Sequence, residues 1–130
     1  MKIIETKNAP APKGMYSQGS VHDGVVYVAG QLGVDPATGE TVPGGFAEQL
    51  RQALKNVQAI LEAGGSDMHH VLRLNVYLSD VSQFPVMNQI FEEAVPAPYP
   101  PRTARAVALG PYLVEVDAIG AVVGDKKEKE

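Results

Sequence analysis

An arginine that follows two prolines is the first residue whose setting suggests chemistry. Arg102 stands in Y-P-P-R-T-A, residues 99–104. Proline holds its own φ at about −65° and restricts the residue before it, so the backbone that leads into Arg102 has little freedom. A rigid approach of this kind directs a side chain toward one place. On these residues alone, an ordinary surface arginine after a turn is the simpler explanation.

Two carboxylates form the second candidate, because Glu115 and Asp117 stand two positions apart in V-E-V-D-A, residues 114–118. Residues two apart in a strand share a face, so the two groups lie side by side. Such a pair suggests acid–base chemistry, although carboxylates on an interface strand more often pair with cations. Arg73 or a cation of another subunit could serve as that partner. For Asp117 this structural role is the favoured interpretation, whereas for Glu115 both roles stay open.

Length and composition limit the kind of protein to which these residues belong. The 130 residues suit a single domain, which we assign to residues 1–124. The net charge is −4, without a cluster of Lys and Arg, and this acidic balance weighs against a nucleic-acid partner. The tail D-K-K-E-K-E, residues 125–130, sums to zero charge and is expected to be disordered.

Other functions are excluded or disfavoured by what the sequence lacks. Cysteine is absent, which excludes disulfides, thiolate catalysis and cysteine-bound metals. No apolar run reaches the ~18 residues of a membrane span, and no basic segment precedes an apolar one at the N-terminus. We therefore expect a cytoplasmic protein without a membrane partner. His69 and His70 are adjacent, so their rings would diverge on any regular element and no metal site is predicted.

Hydrophobic periodicity predicts eight elements in the order β-β-β-α-β-α-β-β. The strands are placed at 2–5, 17–21, 25–33, 71–78, 104–109 and 112–123, and the helices at 44–65 and 82–94. An Asp23-Gly24 turn is predicted to join the second and third strands as a hairpin. Ser82 is the candidate N-cap of the second helix.

These elements predict an α+β fold in which two helices pack on one face of a mixed β-sheet. The other face has no cover within the chain. In the strand at 71–78, alternation places Leu72, Leu74, Val76 and Leu78 on one side and Val71, Arg73, Asn75 and Tyr77 on the other. The last strand likewise carries Leu113 and Ile119 beside its carboxylates. Mixed apolar and charged surface is typical of a subunit interface.

Several longer stretches resemble one known family. They are G-M-Y-S-Q-G (14–19), V-A-G-Q-L-G-V-D-P-A-T-G-E (28–40), N-V-Y-L-S-D (75–80), Asn88, P-R-T-A (101–104) and V-E-V-D-A (114–118). In this order, and over nearly the whole chain, they closely resemble the reactive-intermediate deaminases, also called the RidA or YjgF family. Only the connections before Arg102 and Glu115 are shorter. The resemblance implies a chorismate-mutase-like fold and a homotrimer with a central β-barrel, with sites in clefts between subunits.

The activity implied by this resemblance is hydrolysis of 2-imino acids, and of their enamine tautomers, to 2-keto acids and ammonia. Examples are 2-iminobutanoate and 2-iminopropanoate, which arise when pyridoxal-phosphate dehydratases act on threonine or serine. No cofactor is implied. One alternative is a non-catalytic or regulatory binder of small 2-oxo or 2-amino acids. A weaker alternative, ribonuclease or translation inhibitor, fits poorly with the acidic balance.

The resemblance also assigns roles to individual residues. Arg102 matches the arginine that binds the substrate carboxylate, which a guanidinium can do through two parallel N–H···O bonds. Glu115 matches the glutamate thought to position the attacking water and to move protons. Tyr16 matches a tyrosine that covers the substrate, Asn88 a residue near the cleft, and Gly30 a glycine whose N–H meets the carboxylate. The alternatives are core packing for Tyr16, helix surface for Asn88 and a β-bulge for Gly30.

Two substrate-binding positions depart from the family pattern. Ala29 stands where many members have serine, and Ala104 stands where cysteine is frequent. Neither change removes Arg102 or Glu115, but both remove polar contacts, so we expect a less polar pocket with an altered rate and substrate range. Arg105 is not the family position, and it is expected on the opposite side of the strand from Arg102.

Overall fold

Six strands and two helices make up the fold in the computed structural model, which describes residues 1–124. The strands are β1 (Lys2–Ile4), β2 (Gly19–His22), β3 (Val25–Leu32), β4 (Val71–Leu78), β5 (Arg102–Ala106) and β6 (Val114–Ala121), and the helices are α1 (Phe46–Ala63) and α2 (Phe84–Ala94). The predicted order of elements is confirmed. The tail expected to be disordered, residues 125–130, lies outside the described residues.

All six strands form one sheet in the order β1-β2-β3-β6-β4-β5. Every neighbouring pair is antiparallel except β4 and β5, which run parallel. The predicted mixed sheet is therefore confirmed. The predicted hairpin is confirmed too, since β2 and β3 are joined by Asp23 and Gly24 with φ of 49° and 79°. Two successive left-handed residues match the twist of a two-residue hairpin.

The core lies between the helices and one face of the sheet. Helix α1 carries apolar residues at three- and four-residue steps, which gives it a single buried face. The residues on this face include Leu50, Leu54, Val57, Ile60 and Leu61, and the facing strand residues include Val26, Leu74, Val76, Leu78, Val114 and Val116. On the opposite face, side chains such as Tyr27, Arg73, Tyr77 and Ile119 remain partly or fully exposed.

The predicted alternation fails at the start of β4. Leu72 was expected on the core face and Val71 on the other, but Leu72 is 48% exposed and Val71 packs against the core. The reason is a register shift, because Val71 pairs with Gly120 while Arg73 pairs with Ile119. One extra residue in β4 inverts the alternation on its N-terminal side. From Arg73 onward the predicted faces are correct.

Most element boundaries differ from prediction by a few residues, and two of these differences bear on the site. Ser82 does not cap α2, because the Asp80 side chain accepts from the Ser82 backbone N–H at 2.9 Å and starts a short 3₁₀ turn, Val81–Gln83, that leads into the helix. The strand predicted at 104–109 is observed as Arg102–Ala106. Parallel pairing with β4 sets this register, in which Leu74 lies opposite Arg102 and Leu78 opposite Ala106. Arg102 is therefore the first residue of the strand.

The segment after β1 has no strand partner and is held by one buried side chain. Gln18 Oε1 accepts from the backbone N–H of Thr6 at 2.7 Å. Its Nε2 donates to the carbonyl oxygens of Thr6, Ala9 and Pro10 at 2.9, 3.2 and 3.0 Å. The amide thus satisfies four backbone groups of this segment. Tyr16 lies two residues before Gln18, on the same loop.

Candidate functional site

The Arg102 side chain is held on two sides by helix α2. Its Nη1 donates to Asn88 Oδ1 at 2.9 Å, and its guanidinium carbon lies 4.9 Å from the centroid of the Phe91 ring. An arginine over an aromatic face is favourable through cation–π attraction. Among residues 1–124, no acceptor bonds to Nε or Nη2 of Arg102. This free edge is the one that binds a carboxylate bidentately.

Local structure explains this arrangement. Asn88 and Phe91 are three residues apart on α2, so they occupy the same helix surface. Arg102 faces them because its strand neighbour is Leu74, which points to the helix side of the sheet. A cleft of about 420 Å³ opens here, lined by Asn88, Phe91, Glu92, Tyr99, Pro100 and Arg102.

Sequence reasoning had singled out Asn88 and Arg102 but missed Phe91 and Tyr99. Phe91 could have been found from its three-residue spacing to Asn88, which puts both on one helix surface. Tyr99 stands directly before the two prolines, at the start of the rigid segment that leads into Arg102.

Glu115 and Gly30 form a second group, on β6 and β3. A Cβ added to Gly30 would lie 2.9 Å from Cδ and 2.9 Å from Oε2 of Glu115, so the carboxylate occupies the place of a Gly30 side chain. No hydrogen bond within residues 1–124 reaches this carboxylate. Burial raises the pKa of Glu115 above its usual range, and the negative charge of Asp117 raises it further. Such a carboxyl group holds its proton to higher pH than an exposed glutamate.

A β-bulge places Gly30 and its neighbour Ala29. Val28 pairs with Ala118 and Gln31 with Val116, so β3 has one residue more than β6 across this interval. The bulge that was considered as an alternative for Gly30 is therefore present, together with its contact to Glu115. Ala29 is half-buried, and its backbone N–H donates to the Gln18 carbonyl at 2.9 Å.

Asp117 has two hydrogen-bond donors. Asn75 Nδ2 donates to its Oδ1 at 2.7 Å, and the Tyr77 hydroxyl donates to its Oδ2 at 3.1 Å. Burial, the bond to Asp117 and the nearby negative charges raise the pKa of Tyr77, so its hydroxyl remains a donor. Arg73, one of the two cations considered as a partner for Asp117, donates to Thr103 Oγ1 instead. Two neutral donors already occupy the carboxylate.

A single chain does not bring Arg102 together with the other two candidates, Glu115 and Tyr16. Arg102 lies on the helix side of the sheet, whereas Glu115 is opposite Tyr77 on the other side. Tyr16, 53% exposed, precedes β2 near the far edge of the sheet. From β2 to β5 there are four strand spacings, or about 19 Å. A site that uses all three groups needs a second copy of the chain.

The neighbours of Arg102 on β5 follow strand alternation. Ala104 lies opposite Val76 and packs partly against the core, so it shares the face of Arg102. Arg105 lies opposite Tyr77, on the other face, as expected. Ala104 is therefore the next β5 side chain on the Arg102 side.

Two further features of residues 1–124 concern metal binding and membrane insertion. These residues contain no group of three or more His, Asp or Glu side chains arranged to hold a metal ion. His70 instead contacts Asp67, with Nδ1 and Oδ1 2.7 Å apart. No helix in the same residues has both the length and the apolar character to cross a membrane.

Comparison with known proteins identifies relatives over almost the whole chain. The family model described as endoribonuclease L-PSP matches residues 6–122. A Bos taurus protein named 2-iminobutanoate/2-iminopropanoate deaminase is 43% identical over 120 residues, which cover 91% of this chain and 88% of that protein. RidA from an Antarctic Psychrobacter species has a TM-score of 0.90 and 40% identity, covering 94% of this chain and 100% of that one. E. coli TdcF with bound serine has a TM-score of 0.86 and 34% identity, covering 95% and 100%.

These matches agree with the motifs and with the observed fold. The family model spans the residues from just after β1 to just beyond β6. The solved relatives share the α+β arrangement of one six-stranded sheet and two helices over at least 94% of this chain. The chain therefore belongs to the endoribonuclease L-PSP family, the RidA/YjgF family that its motifs resemble.

Proposed function

We propose that this protein is a hydrolytic deaminase that converts reactive 2-imino acids, such as 2-iminobutanoate and 2-iminopropanoate, to 2-keto acids and ammonia. The observation that carries the proposal is the Arg102 guanidinium, fixed by Asn88 and Phe91 with its Nε–Nη2 edge free. Such an edge binds the carboxylate common to these substrates and fixes the reacting carbon beyond it. The name and 43% identity of the Bos taurus relative support the same reaction.

The site is completed, in this proposal, by assembly into a homotrimer of the chorismate-mutase-like type. The open sheet faces line a central β-barrel, and three clefts form between subunits. Each cleft receives Arg102 and Asn88, with Ala104 beside them, from one copy. The neighbouring copy contributes Glu115, Gly30, Ala29 and Tyr16. The positions of these groups on opposite faces and edges of one sheet support this sharing.

The reaction needs a carboxylate anchor, an oriented water and a group that moves protons. Glu115 accepts a proton from water as the water oxygen bonds to C2, and the π electrons of the C=N bond move to nitrogen. The Glu115 carboxyl group then gives that proton to the nitrogen. The Glu115 carboxylate next carries the hydroxyl proton to the same nitrogen, and the C–N bond breaks as the hydroxyl oxygen forms the C=O bond, so that the nitrogen leaves as neutral ammonia. Imine and water thus become keto acid and ammonia, with no cofactor in any step.

The departures at Ala29 and Ala104 bear on which imine reacts. Ala29 lies next to Gly30 in the bulge, and Ala104 lies on the Arg102 face of β5. Both residues have methyl groups at positions where the family resemblance implies serine or cysteine. We expect larger apolar imines to be favoured over the smallest one.

One experiment tests the activity directly. The protein is added to a threonine dehydratase reaction, and release of ammonia and 2-ketobutanoate is followed against the slow hydrolysis in water. A rate that increases with protein concentration is expected. A rate equal to the solvent background, in a preparation that binds 2-ketobutanoate, would favour a non-catalytic or regulatory binder, an alternative supported by TdcF with bound serine.

Assembly and the remaining alternative need separate measurements. Light scattering is expected to give the mass of three chains at micromolar concentration, and a monomer mass would remove the shared cleft. The family description names an endoribonuclease, but the net charge of −4 opposes binding of a polyanion. Cleavage of single-stranded RNA by protein free of contaminating nuclease, and its loss in Arg102→Ala, would favour that alternative.

A further inference from the structure

We propose that Asp117 is a positioning residue for Glu115: held by Asn75 and Tyr77, it places a fixed negative charge beside Glu115 and makes Glu115 the proton donor of the pair. The inference rests on the proposed deaminase activity, in which nitrogen must be protonated before ammonia leaves. Asp117 itself touches neither substrate nor water in this role. It acts only through Glu115.

The geometry distinguishes the two carboxylates. They stand two residues apart on one face of β6, with Cα atoms separated by about 6.6 Å in an extended strand. Each oxygen of Asp117 accepts a hydrogen bond, from Asn75 at 2.7 Å and from Tyr77 at 3.1 Å. Glu115 has no such donor within residues 1–124. One carboxylate is therefore fixed and the other is free to react.

The strand register explains why the donors choose Asp117. Asn75 lies directly opposite Asp117, but Tyr77 lies opposite Glu115. The Tyr77 hydroxyl nevertheless reaches diagonally to Asp117, and it leaves Glu115 without a partner. A bond from Tyr77 to Glu115 would have stabilised the Glu115 anion and lowered its pKa, so that Glu115 would hold its proton less firmly. The diagonal contact is made to Asp117 instead.

Other groups on this face do not cancel the effect of Asp117. The titratable and charged side chains facing Glu115 are Tyr27 on β3, Arg73 and Tyr77 on β4, Arg105 on β5 and Asp117 on β6. Arg73 bonds to Thr103, and Arg105 is one strand further away, beyond Tyr77. Burial and Asp117 together raise the pKa of Glu115. Within one chain the nearest charged neighbour is therefore a like charge. Arg102 of the neighbouring copy, which shares the proposed cleft, is present in the parent and in Asp117→Asn alike, so the comparison of the two isolates the effect of Asp117.

The test is a titration of the intact assembly whose glutamates carry ¹³C at Cδ. Glu115→Gln identifies the Glu115 resonance by removing it. Asp117→Asn keeps the size of the side chain and one acceptor oxygen but removes the charge, so the midpoint for Glu115 is expected to move to lower pH. Glu62→Gln removes one charge from the exposed surface of α1 and is expected to leave the midpoint unchanged. An unchanged or higher midpoint in Asp117→Asn overturns the proposal.

A second variant and a kinetic readout complete the test. Tyr77→Phe removes one of the two donors that hold Asp117 but leaves its charge in place. Because Asp117 is then held beside Glu115 by Asn75 alone, a smaller downward movement of the Glu115 midpoint is expected, and an upward movement would contradict the proposal. In Asp117→Asn the acidic limb of the kcat profile should move in the same direction, with KM for the imine nearly constant. If the midpoint moves but no variant or parent protein turns over imine, the deaminase proposal fails and the pairing of the two carboxylates stands.

Discussion

The carboxylate of Glu115 fills the space where a side chain of Gly30 would be, with its Cδ 2.9 Å from the position of an added Cβ. Gly30 does not have the positive φ that would itself demand glycine, as Gly39 does. The need for glycine at this position is therefore set by close approach between β3 and the Glu115 side chain. The contact also links the bulge in β3 to the group that is proposed to move protons.

Gly30→Ala is expected to reduce turnover more than stability. The clash involves the far end of a flexible side chain, so Glu115 can rotate away without moving the backbone. Misplacement of a catalytic group by about 1 Å can cost about 10²-fold in rate. Deaminase assays and urea unfolding at fixed protein concentration measure the two effects. Gly33→Ala provides the contrast, because its Cβ would lie 2.5 Å from the Gln49 Cα, and it should destabilise the fold. Equal activity in Gly30→Ala and the parent would disprove the role of the contact.

Arg102→Ala is expected to abolish measurable deamination while the assembly stays intact. The residue is exposed in the single chain and binds a charged ligand, so its loss removes about 2–4 kcal/mol of transition-state stabilisation. Arg102→Lys should not restore the rate, since an ammonium on a flexible stem cannot hold both carboxylate oxygens. Coupled dehydratase assays and calorimetric titration with 2-ketobutanoate compare the variants. Near-parental turnover in Arg102→Lys would show that orientation by the guanidinium is unimportant.

Phe91→Leu is expected to weaken substrate binding through Arg102. Loss of a cation–π contact at an exposed site removes about 0.5–1 kcal/mol, or about two- to fivefold in kcat/KM. Phe91→Tyr keeps the ring and serves as the matched control. Phe91 is only 6% exposed, so the leucine variant is also expected to lose about 1 kcal/mol of stability. The two variants should therefore differ in KM at a temperature where both are fully folded, and equal KM values would rule out positioning by the ring.

Glu115→Gln is expected to bind keto acid normally and to lose about 10²–10⁴ in turnover, because an amide can hold water but cannot take its proton. Loss of binding with normal turnover would reverse the roles assigned to Arg102 and Glu115. Calorimetry with 2-ketobutanoate and the coupled assay measure both quantities.

The same variant is also expected to be the more stable protein at neutral pH. The raised pKa means that folded protein holds its proton at pH values where the unfolded chain, with a pKa near 4.5, has lost it. The parent therefore loses stability as the pH rises from the unfolded pKa through the folded one. Urea unfolding at a series of pH values measures the free energy of unfolding of both proteins. The difference in favour of Glu115→Gln should grow across this pH window and then become constant. An advantage that shrinks with pH would mean that a cation stabilises Glu115 in the assembly.

Ala29→Ser combined with Ala104→Cys is expected to shift preference toward the imine derived from serine. The two changes restore a hydroxyl and a thiol beside Gly30 and Arg102, and polar groups favour the smallest imine over those with longer apolar side chains. Competition between such imines measures the preference in the parent and in the variant. A parent that already prefers the serine-derived imine would contradict the apolar character assigned to this pocket.

Sequence patterns predicted the faces of the sheet wherever alternation is uninterrupted. In β6, Val114 and Val116 are buried and Glu115 is not, as period two requires. The same rule failed at Leu72, because a bulge changes the count without changing residue types. Ser82 was assigned as a cap because serine often caps helices. Asp80, two residues earlier, instead accepts from the Ser82 backbone N–H, and this bond places Ser82 inside a 3₁₀ turn before the helix.

Sequence reasoning named several residues of the candidate site but not their arrangement. Asn88 and Arg102 were both expected at a cleft, and they bond to each other. The placement of Arg102 and Glu115 on opposite faces depends on the parallel register of β4 and β5. Residue types in β5 do not specify that register, since Arg102 and Arg105 could exchange faces through a shift of one residue. Only the pairing of β5 with β4 decides which of the two arginines lies on the helix side of the sheet.

Gln18 has a consequence for how the loop before β2 can vary. All four of its bonds to the segment after β1 reach main-chain atoms of Thr6, Ala9 and Pro10. Main-chain atoms are common to all residue types, apart from the proline nitrogen, so the path of the segment is independent of most of its side chains. Ala9 is buried in the core and is constrained by packing, but the exposed residues Lys7 and Asn8 can be exchanged freely in homologues or in designed variants while Tyr16 keeps its place. Gln18 cannot be exchanged in this way, because only a glutamine side chain has both an acceptor and a donor at the distance of these main-chain atoms.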